Sequence, residues 1–373
     1  MFRPPLVLLI GIGCQQVMYA PTQETEELST PSLSTPLHSA IAPSDLPDGD
    51  GEDVQQDDTP QGDTGGLISD FDLCFADIAS EDGTGPDYEQ YGPIVGTHCS
   101  GTDHQDIQGV ERVVFLGDSV TVGTPPTESD DYYRNRLASD LATTFGLEQP
   151  DWWWETVNVF DGTTIIQESG AFASCAKWGA RADDLLRDNT QIDDCFAEER
   201  RDDTTLVVMT VGGNDLQKLS EGFLEGQSHE ELWSQTEEFM GLVRDAVEWF
   251  TPERFPNGVF VIFTNLYEYT DATGDMTACP GAALAGYEAI KDPELEEMVV
   301  WAMEEFMSIA VDTSTDMLFL LESFCGHGYH YDDSTNRCYR GSEAELWFDE
   351  TCIHPNARGH EEISKMFLDV VTE

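Results

Sequence analysis

Two apolar runs end in short polar motifs where a strand would leave a sheet: Val113 to Leu116 runs into Gly117-Asp118-Ser119, and Leu206 to Val211 into Gly213-Asn214-Asp215. Short, mostly aliphatic runs bounded by glycine read as strands buried on both faces, which is the habit of parallel sheets. Thr156 to Phe160, Val259 to Thr264 and Met317 to Leu321 have the same character. Between them, segments near 130–145, 180–188, 229–250, 293–311 and 360–371 carry apolar residues at helical spacing, with Gly146 placed to stop the first. The alternation predicts an α/β domain: a three-layer α/β/α sandwich with a mainly parallel, flavodoxin-like sheet. Sites in such sheets gather at the carboxyl ends of strands, where Ser119 and Asn214 both fall.

The residue types at these ends, with His354-Pro355 near the C-terminus, suit acyl chemistry. A serine hydroxyl needs a base to attack a carbonyl, and the tetrahedral oxyanion that results needs hydrogen-bond donors. Ser119, His354 and Asn214 supply one of each. Taken singly they have plainer uses, Ser119 as a helix cap and Asn214 as a turn residue. The nucleophile lacks the G-x-S-x-G elbow, which argues against an α/β-hydrolase.

These islands, together with a fourth block, Trp178-Gly179-Ala180-Arg181-Ala182-Asp183-Asp184-Leu185-Leu186, occur in the order seen in the SGNH (GDSL-type) hydrolases, which the chain resembles over roughly residues 111 to 372. The resemblance implies the sandwich fold of that family and a serine esterase activity without a metal or organic cofactor. It implies that Ser119 is the nucleophile and His354 its base. Gly179 would give a backbone N–H, and Asn214 a side-chain amide, to the oxyanion beside the N–H of Ser119. Glycine lets backbone approach a reacting carbonyl with no Cβ in the way. An uncharged amide donates without forming an ion pair with a carboxylate product.

The chain departs from the family at the third triad member, where the usual aspartate three residues before the histidine is Thr351. A threonine hydroxyl cannot stabilise an imidazolium as a carboxylate does. Either Asp349 or Glu350 reaches the ring, or the Thr351 backbone carbonyl accepts the ring N–H. The carbonyl is the preferred expectation, because moving the acid along the chain demands a different loop shape.

Charge excludes one class of partner. Seventeen Lys plus Arg face 73 Asp plus Glu, a formal net charge of -56, and no lysine or arginine falls between Arg3 and Arg112. Phosphate contacts need a basic surface, so nucleic acid is not an expected partner. The acidity suits either a hydrated surface in saline surroundings or simply a solvated face and tail.

The N-terminus reads as an export signal over residues 1–20: Arg3, an apolar stretch Leu6 to Ile12, then a lipobox-like Gly13-Cys14 with Gly11 where leucine is usual. Lipid on Cys14 would tether the protein to a membrane; cleavage without lipid would release it. Residues 15–66, rich in Pro, Ser, Thr, Asp and Gly, read as a disordered acidic linker. Its Asp48-Gly49-Asp50-Gly51 run lacks the glutamate that would complete an EF-hand loop. Residues 67–110 form a cysteine-containing N-terminal extension, and 111–373 the hydrolase domain. Removing Cys14 from nine cysteines leaves eight, an even number that suits a disulfide framework, with Cys175–Cys195 and Cys325–Cys338 as economical local pairs.

Two motifs stand outside this reading. Cys325-Gly326-His327-Gly328-Tyr329-His330-Tyr331-Asp332-Asp333 holds metal-ligand types without a common zinc spacing. Trp152-Trp153-Trp154 offers an aromatic platform to a sugar or acyl chain, or packs a core edge. The expectation is an exported serine ester hydrolase, lipid-anchored or secreted, acting on a small-molecule, lipid or carbohydrate ester through a Ser119 acyl-enzyme. The alternative is a catalytically silent surface binding protein on the same fold.

Overall fold

The structure, a computed structural model, describes residues 70–76, 85–187, 190–285 and 289–373. The expected signal segment with Cys14 and the linker over 15–66 lie outside the described residues.

Among the described residues eight strands are formed: β1 (Arg112–Gly117), β2 (Val157–Asn158), β3 (Thr163–Thr164), β4 (Glu168–Ser169), β5 (Phe172–Ser174), β6 (Thr205–Thr210), β7 (Val259–Thr264) and β8 (Asp316–Leu318). Six make one sheet in the order β4-β5-β1-β6-β7-β8, and β2 pairs only with β3. Neighbours from β5 to β8 run parallel, while β4 is antiparallel to β5 at the edge. In chain order the five parallel strands are therefore arranged second, first, third, fourth, fifth. This is the flavodoxin-like order, which reverses direction between β1 and β6.

Side chains alternate across the pleat and so build two cores. Val114, Leu116, Val207, Met209, Val261 and Phe263 face one core; Val113, Phe115, Leu206, Val208 and Ile262 face the other. The first is covered by helices His229–Glu248 and Pro293–Thr313, whose Phe239 and Phe306 rings meet edge-on at 6.0 Å. The second is covered by Tyr133–Phe145 and Ala357–Thr372, where Tyr133 stacks on Phe367 at 5.5 Å. Each such fully buried side chain contributes about 1.5–3 kcal/mol. Local signals fix the helix ends. Ser228 and Glu231 form a capping box, Asp292 caps the helix that begins at Pro293, and Gly146 stops its helix in the left-handed region at φ 70°.

Several expected elements differ. Thr156 to Phe160 is no buried parallel strand: only Val157–Asn158 is extended, and it turns back on β3 as a small hairpin with Phe160 exposed. The apolar residues there belong to a loop, and the vacant sheet position goes to β5, a three-residue strand with no distinctive run. Met317 to Leu321 splits, since β8 ends at Leu318 and helix Leu320–Phe324 begins. Within 180–188 only Asp183–Leu186 is helical. Helix Gly213–Leu224 was not expected.

The N-terminal extension packs onto the domain. Phe71, Phe75 and Tyr88 surround Phe319, and Asp316 of β8 accepts hydrogen bonds from Thr102 Oγ1, His104 N and Gln105 Nε2. Among the described residues four disulfides form: Cys74–Cys99, Cys175–Cys195, Cys279–Cys352 and Cys325–Cys338. The two local pairs are those expected, and four bonds fit an oxidising compartment. Among the described residues no helix is long and apolar enough to cross a membrane.

Candidate active site

The serine end is built where the parallel neighbours β1 and β6 finish side by side. Gly117, in register with Thr210, has φ 120°, and a Cβ there would overlap the Thr210 carbonyl oxygen. Only glycine permits this close turn. The chain then enters the short helix Ser119–Val122, capped by Asp118, whose Oδ1 accepts from Val120 N at 2.9 Å and from Thr210 Oγ1 at 3.2 Å. Burial pushes Asp118 up to about 6, against the pull of those bonds. Because Asp118 is the cap, Ser119 Oγ is left for another partner. It lies 2.9 Å from His354 Nε2.

The histidine comes from a closed loop. Phe348 and Pro355 form an antiparallel bridge, Asp349 N donates to His354 O at 2.9 Å, and Cys352 N donates to Asp349 O at 3.1 Å. Cys352 takes the left-handed conformation at φ 75° and is tied to Cys279. His354 is buried, which pushes its pKa down to about 4 and keeps the ring neutral at neutral pH.

The third position corrects the expectation. The Thr351 side-chain hydroxyl, not its carbonyl, meets the ring, with Oγ1 2.9 Å from His354 Nδ1. That hydroxyl donates to Asp349 Oδ1 at 2.5 Å, and Thr351 N donates to the same oxygen at 2.8 Å. The physical reason is local. The aspartate side chain closes a turn on the amide two residues on, a habit of Asp, and this turns the threonine hydroxyl toward the ring. Glu350 is exposed, and among the described residues it makes no hydrogen bond to His354.

The expected oxyanion donors lie on two further segments, 177–180 and the start of the helix after β6. Lys177 N donates to Gly117 O at 3.0 Å and Trp178 Nε1 to Gly123 O at 3.0 Å, so segment 177–179 is clipped to the loop after β1. Asn214, in the first turn of helix Gly213–Leu224, donates from Nδ2 to Ala180 O at 2.8 Å. Asp215 Oδ2 accepts from Ala182 N at 3.1 Å and is pushed up to about 7 by burial. These clips hold Gly179, at φ 75° and solvent-exposed, between the serine and asparagine loops. Among the described residues neither Ser119 N nor Gly179 N donates a hydrogen bond within the chain. Sequence reasoning missed the roles of Asp118, Asp215 and Trp178, although each adjoins a motif residue it singled out.

The other motifs go elsewhere. Cys325 is bonded to Cys338, and His327 stacks on Trp347 at 3.6 Å with Nδ1 2.8 Å from Glu345 O. Among the described residues no group of three or more His, Cys, Asp or Glu is placed to hold a metal ion. The tryptophan run divides: Trp154 is buried beneath the Arg134 guanidinium, 4.4 Å from the ring centroid, while Trp152 and Trp153 are exposed.

No protein-family model matches the chain, and no curated protein matches its sequence. Among solved structures it is similar to an acetylxylan esterase from Geobacillus stearothermophilus, at 15% identity and TM-score 0.41 over 72% of this chain and 97% of that one. It is also similar to a lipase from a goat rumen metagenome, at 14% identity and TM-score 0.43 over 69% of this chain and 96% of that one. A third is an α/β hydrolase enzyme from the metagenome of Lake Arreo, Spain, at 14% identity and TM-score 0.40 over 73% and 100%.

Proposed function

We propose that the protein is a carboxylic ester hydrolase of the SGNH type, exported and either anchored through Cys14 or secreted. The observation that carries the activity is the 2.9 Å approach of Ser119 Oγ to the neutral, buried His354 Nε2. His354 takes the Ser119 proton as Oγ attacks the ester carbonyl, and the carbonyl π pair moves onto oxygen. Ser119 N, Gly179 N and the second N–H of Asn214 Nδ2 hold that oxyanion. Collapse expels the alcohol, which leaves with the proton from His354, and Ser119 keeps the acyl group. Water then attacks, gives its proton to His354, and the second collapse returns that proton to Ser119 with release of the acid.

Export is supported by the disulfides, the signal-like N-terminus and the acidic composition. The substrate class is a small-molecule, lipid or carbohydrate ester. The test is hydrolysis of p-nitrophenyl acetate and butyrate together with fluorophosphonate labelling. Ser119→Ala should abolish both while keeping the circular dichroism of the parent. Full activity in Ser119→Ala would refute the mechanism, and an inactive, unlabelled parent would leave a binding protein on this fold.

A further inference from the structure

Thr351 stands where a direct carboxylate would serve, and an isolated hydroxyl is an ambiguous partner for a catalytic ring. Its oxygen can accept the Nδ1 hydrogen, or its own hydrogen can point at Nδ1. In the second case the ring carries its hydrogen on Nε2 and cannot take a proton from serine.

Asp349 removes the ambiguity. Its Oδ1 receives both the Thr351 hydroxyl and the Thr351 amide, so the hydroxyl hydrogen is committed away from the ring. Oγ1 is then left as an acceptor 2.9 Å from His354 Nδ1. Nδ1 must carry the hydrogen, Nε2 is bare, and it faces Ser119 Oγ at 2.9 Å. Every hydrogen in the chain from serine to aspartate has one direction. When Nε2 takes the serine proton, no other proton has to move, and the imidazolium is stabilised through the polarised hydroxyl.

Asp349 is also more than a loop staple. A turn that needs only an acceptor is served by asparagine, yet here a carboxylate is buried with its Oδ2 unpartnered. A buried charge without a second partner is costly, and an aspartate kept in that state points to use of the charge itself. The loop that presents it is held by Tyr329, whose hydroxyl donates to Asp349 O at 2.8 Å.

Resting on the ester-hydrolase reading above, the geometry points to a relayed orientation of the base: Asp349 is a positioning residue that acts on His354 through the Thr351 hydroxyl. Neither residue touches the reacting atoms. Together they do the work of a single acid in contact with the ring.

The experiment compares Thr351→Ser, Thr351→Val, Asp349→Asn and Asp349→Asn/Thr351→Val with the parent on p-nitrophenyl acetate, with thermal unfolding as the check on folding. Thr351→Ser keeps the hydroxyl and should hold kcat within about threefold. Thr351→Val keeps the shape but removes the bridge. It should lower kcat by about 10²-fold or more with KM within a few-fold, because small losses of orientation have that cost. Asp349→Asn preserves the turn acceptor and removes the charge, and should lower kcat by about tenfold or more. The double variant should be no worse than Thr351→Val, since residues acting as one unit are not additive.

Parent-like kcat in folded Thr351→Val, beside an inactive Ser119→Ala, would overturn the relay and leave the nucleophile standing. Activity in Ser119→Ala would overturn the reading beneath it. Additive losses in the double variant would also overturn the relay, by making the two residues independent. Should Thr351→Val fail to fold, Thr351→Ala takes its place in each comparison.

Discussion

Cys352, two residues before His354, is bonded to Cys279 across 73 residues of sequence. The bond fastens the base loop to the start of helix Pro280–Ala285, and Gly281 packs so closely there that a Cβ would crowd the Glu350 carbonyl oxygen. The position of His354, the proposed base, therefore depends on a covalent tie to a distant segment.

Replacing both cysteines, as Cys279→Ser/Cys352→Ser, should lower kcat by about 10²-fold through drift of His354 from Ser119. It should also lower stability by about 2–4 kcal/mol, as loss of a disulfide with a long loop does. Cys74→Ser/Cys99→Ser, which frees the N-terminal extension, should cost stability and leave kcat near the parent. Urea unfolding and steady-state kinetics on the two variants separate the effects. Equal kcat in both would show that the tie does not set the base.

The pH profile should report Asp349. Burial raises its pKa to about 6 against the pull of the Thr351 bonds, and burial lowers that of His354 to about 4. Around Asp349 stand Glu350, whose charge raises it further, and Tyr132, Tyr267 and Tyr329, whose own pKa values lie raised, so they stay neutral. Beside His354, His360 is pushed down to about 3 by burial and is also uncharged. As pH falls, Asp349 is neutralised before the base is charged. Activity should therefore decline through about pH 6, and in Asp349→Asn this limb should move toward 4.

Stability is a poorer reporter. The depressed His354 contributes stability that is present above its unfolded value, about 6.5, and lost as pH falls toward 4. The raised Asp349 has the opposite sign over nearly the same window. An acid limb that stays in place in Asp349→Asn would show that another group sets it.

The central strands were legible because their middles, Val113–Leu116 of β1, Leu206–Met209 of β6 and Val261–Phe263 of β7, are buried on both faces and apolar throughout. The edge was not. Phe172–Ser174 is too short to announce itself, and Thr156 to Phe160 has strand-like residues in an exposed hairpin. Ser119, His354, Asn214 and Gly179 were legible as motifs because each follows a strand or occupies a characteristic block. The Thr351 hydroxyl was not, because its direction is set by the left-handed Cys352 and by the Asp349 turn, neither of which has a sequence signature here.

Gly117 is a sharp test of the serine turn. Alanine there would need φ 120° and would place its Cβ against the Thr210 carbonyl oxygen, in backbone that cannot yield without parting β1 from β6. Gly117→Ala should cost about 2–4 kcal/mol from the two effects together. It should also remove fluorophosphonate labelling, because Ser119 is two residues on. Gly146→Ala, at a left-handed helix end with open space around it, should cost only about 1 kcal/mol. Thermal unfolding of the pair decides, and equal losses would mean that the β1–β6 contact is not a constraint.

Asn214 carries the last expectation. One Nδ2 hydrogen is committed to Ala180 O at 2.8 Å, which fixes the plane of the amide, and among the described residues the other has no partner, as the proposed oxyanion contact requires. Asn214→Ala should lower kcat by about 10²–10³-fold with little change in KM, because that donor acts mainly when charge develops on the carbonyl oxygen. Asn214→Asp should be at least as damaging. A carboxylate cannot donate to the oxyanion, repels it, and faces the Ala180 carbonyl oxygen as well. If Asn214→Asp instead retained more activity than Asn214→Ala, the side chain would be acting as a spacer, and the oxyanion would rest on the Ser119 and Gly179 amides alone.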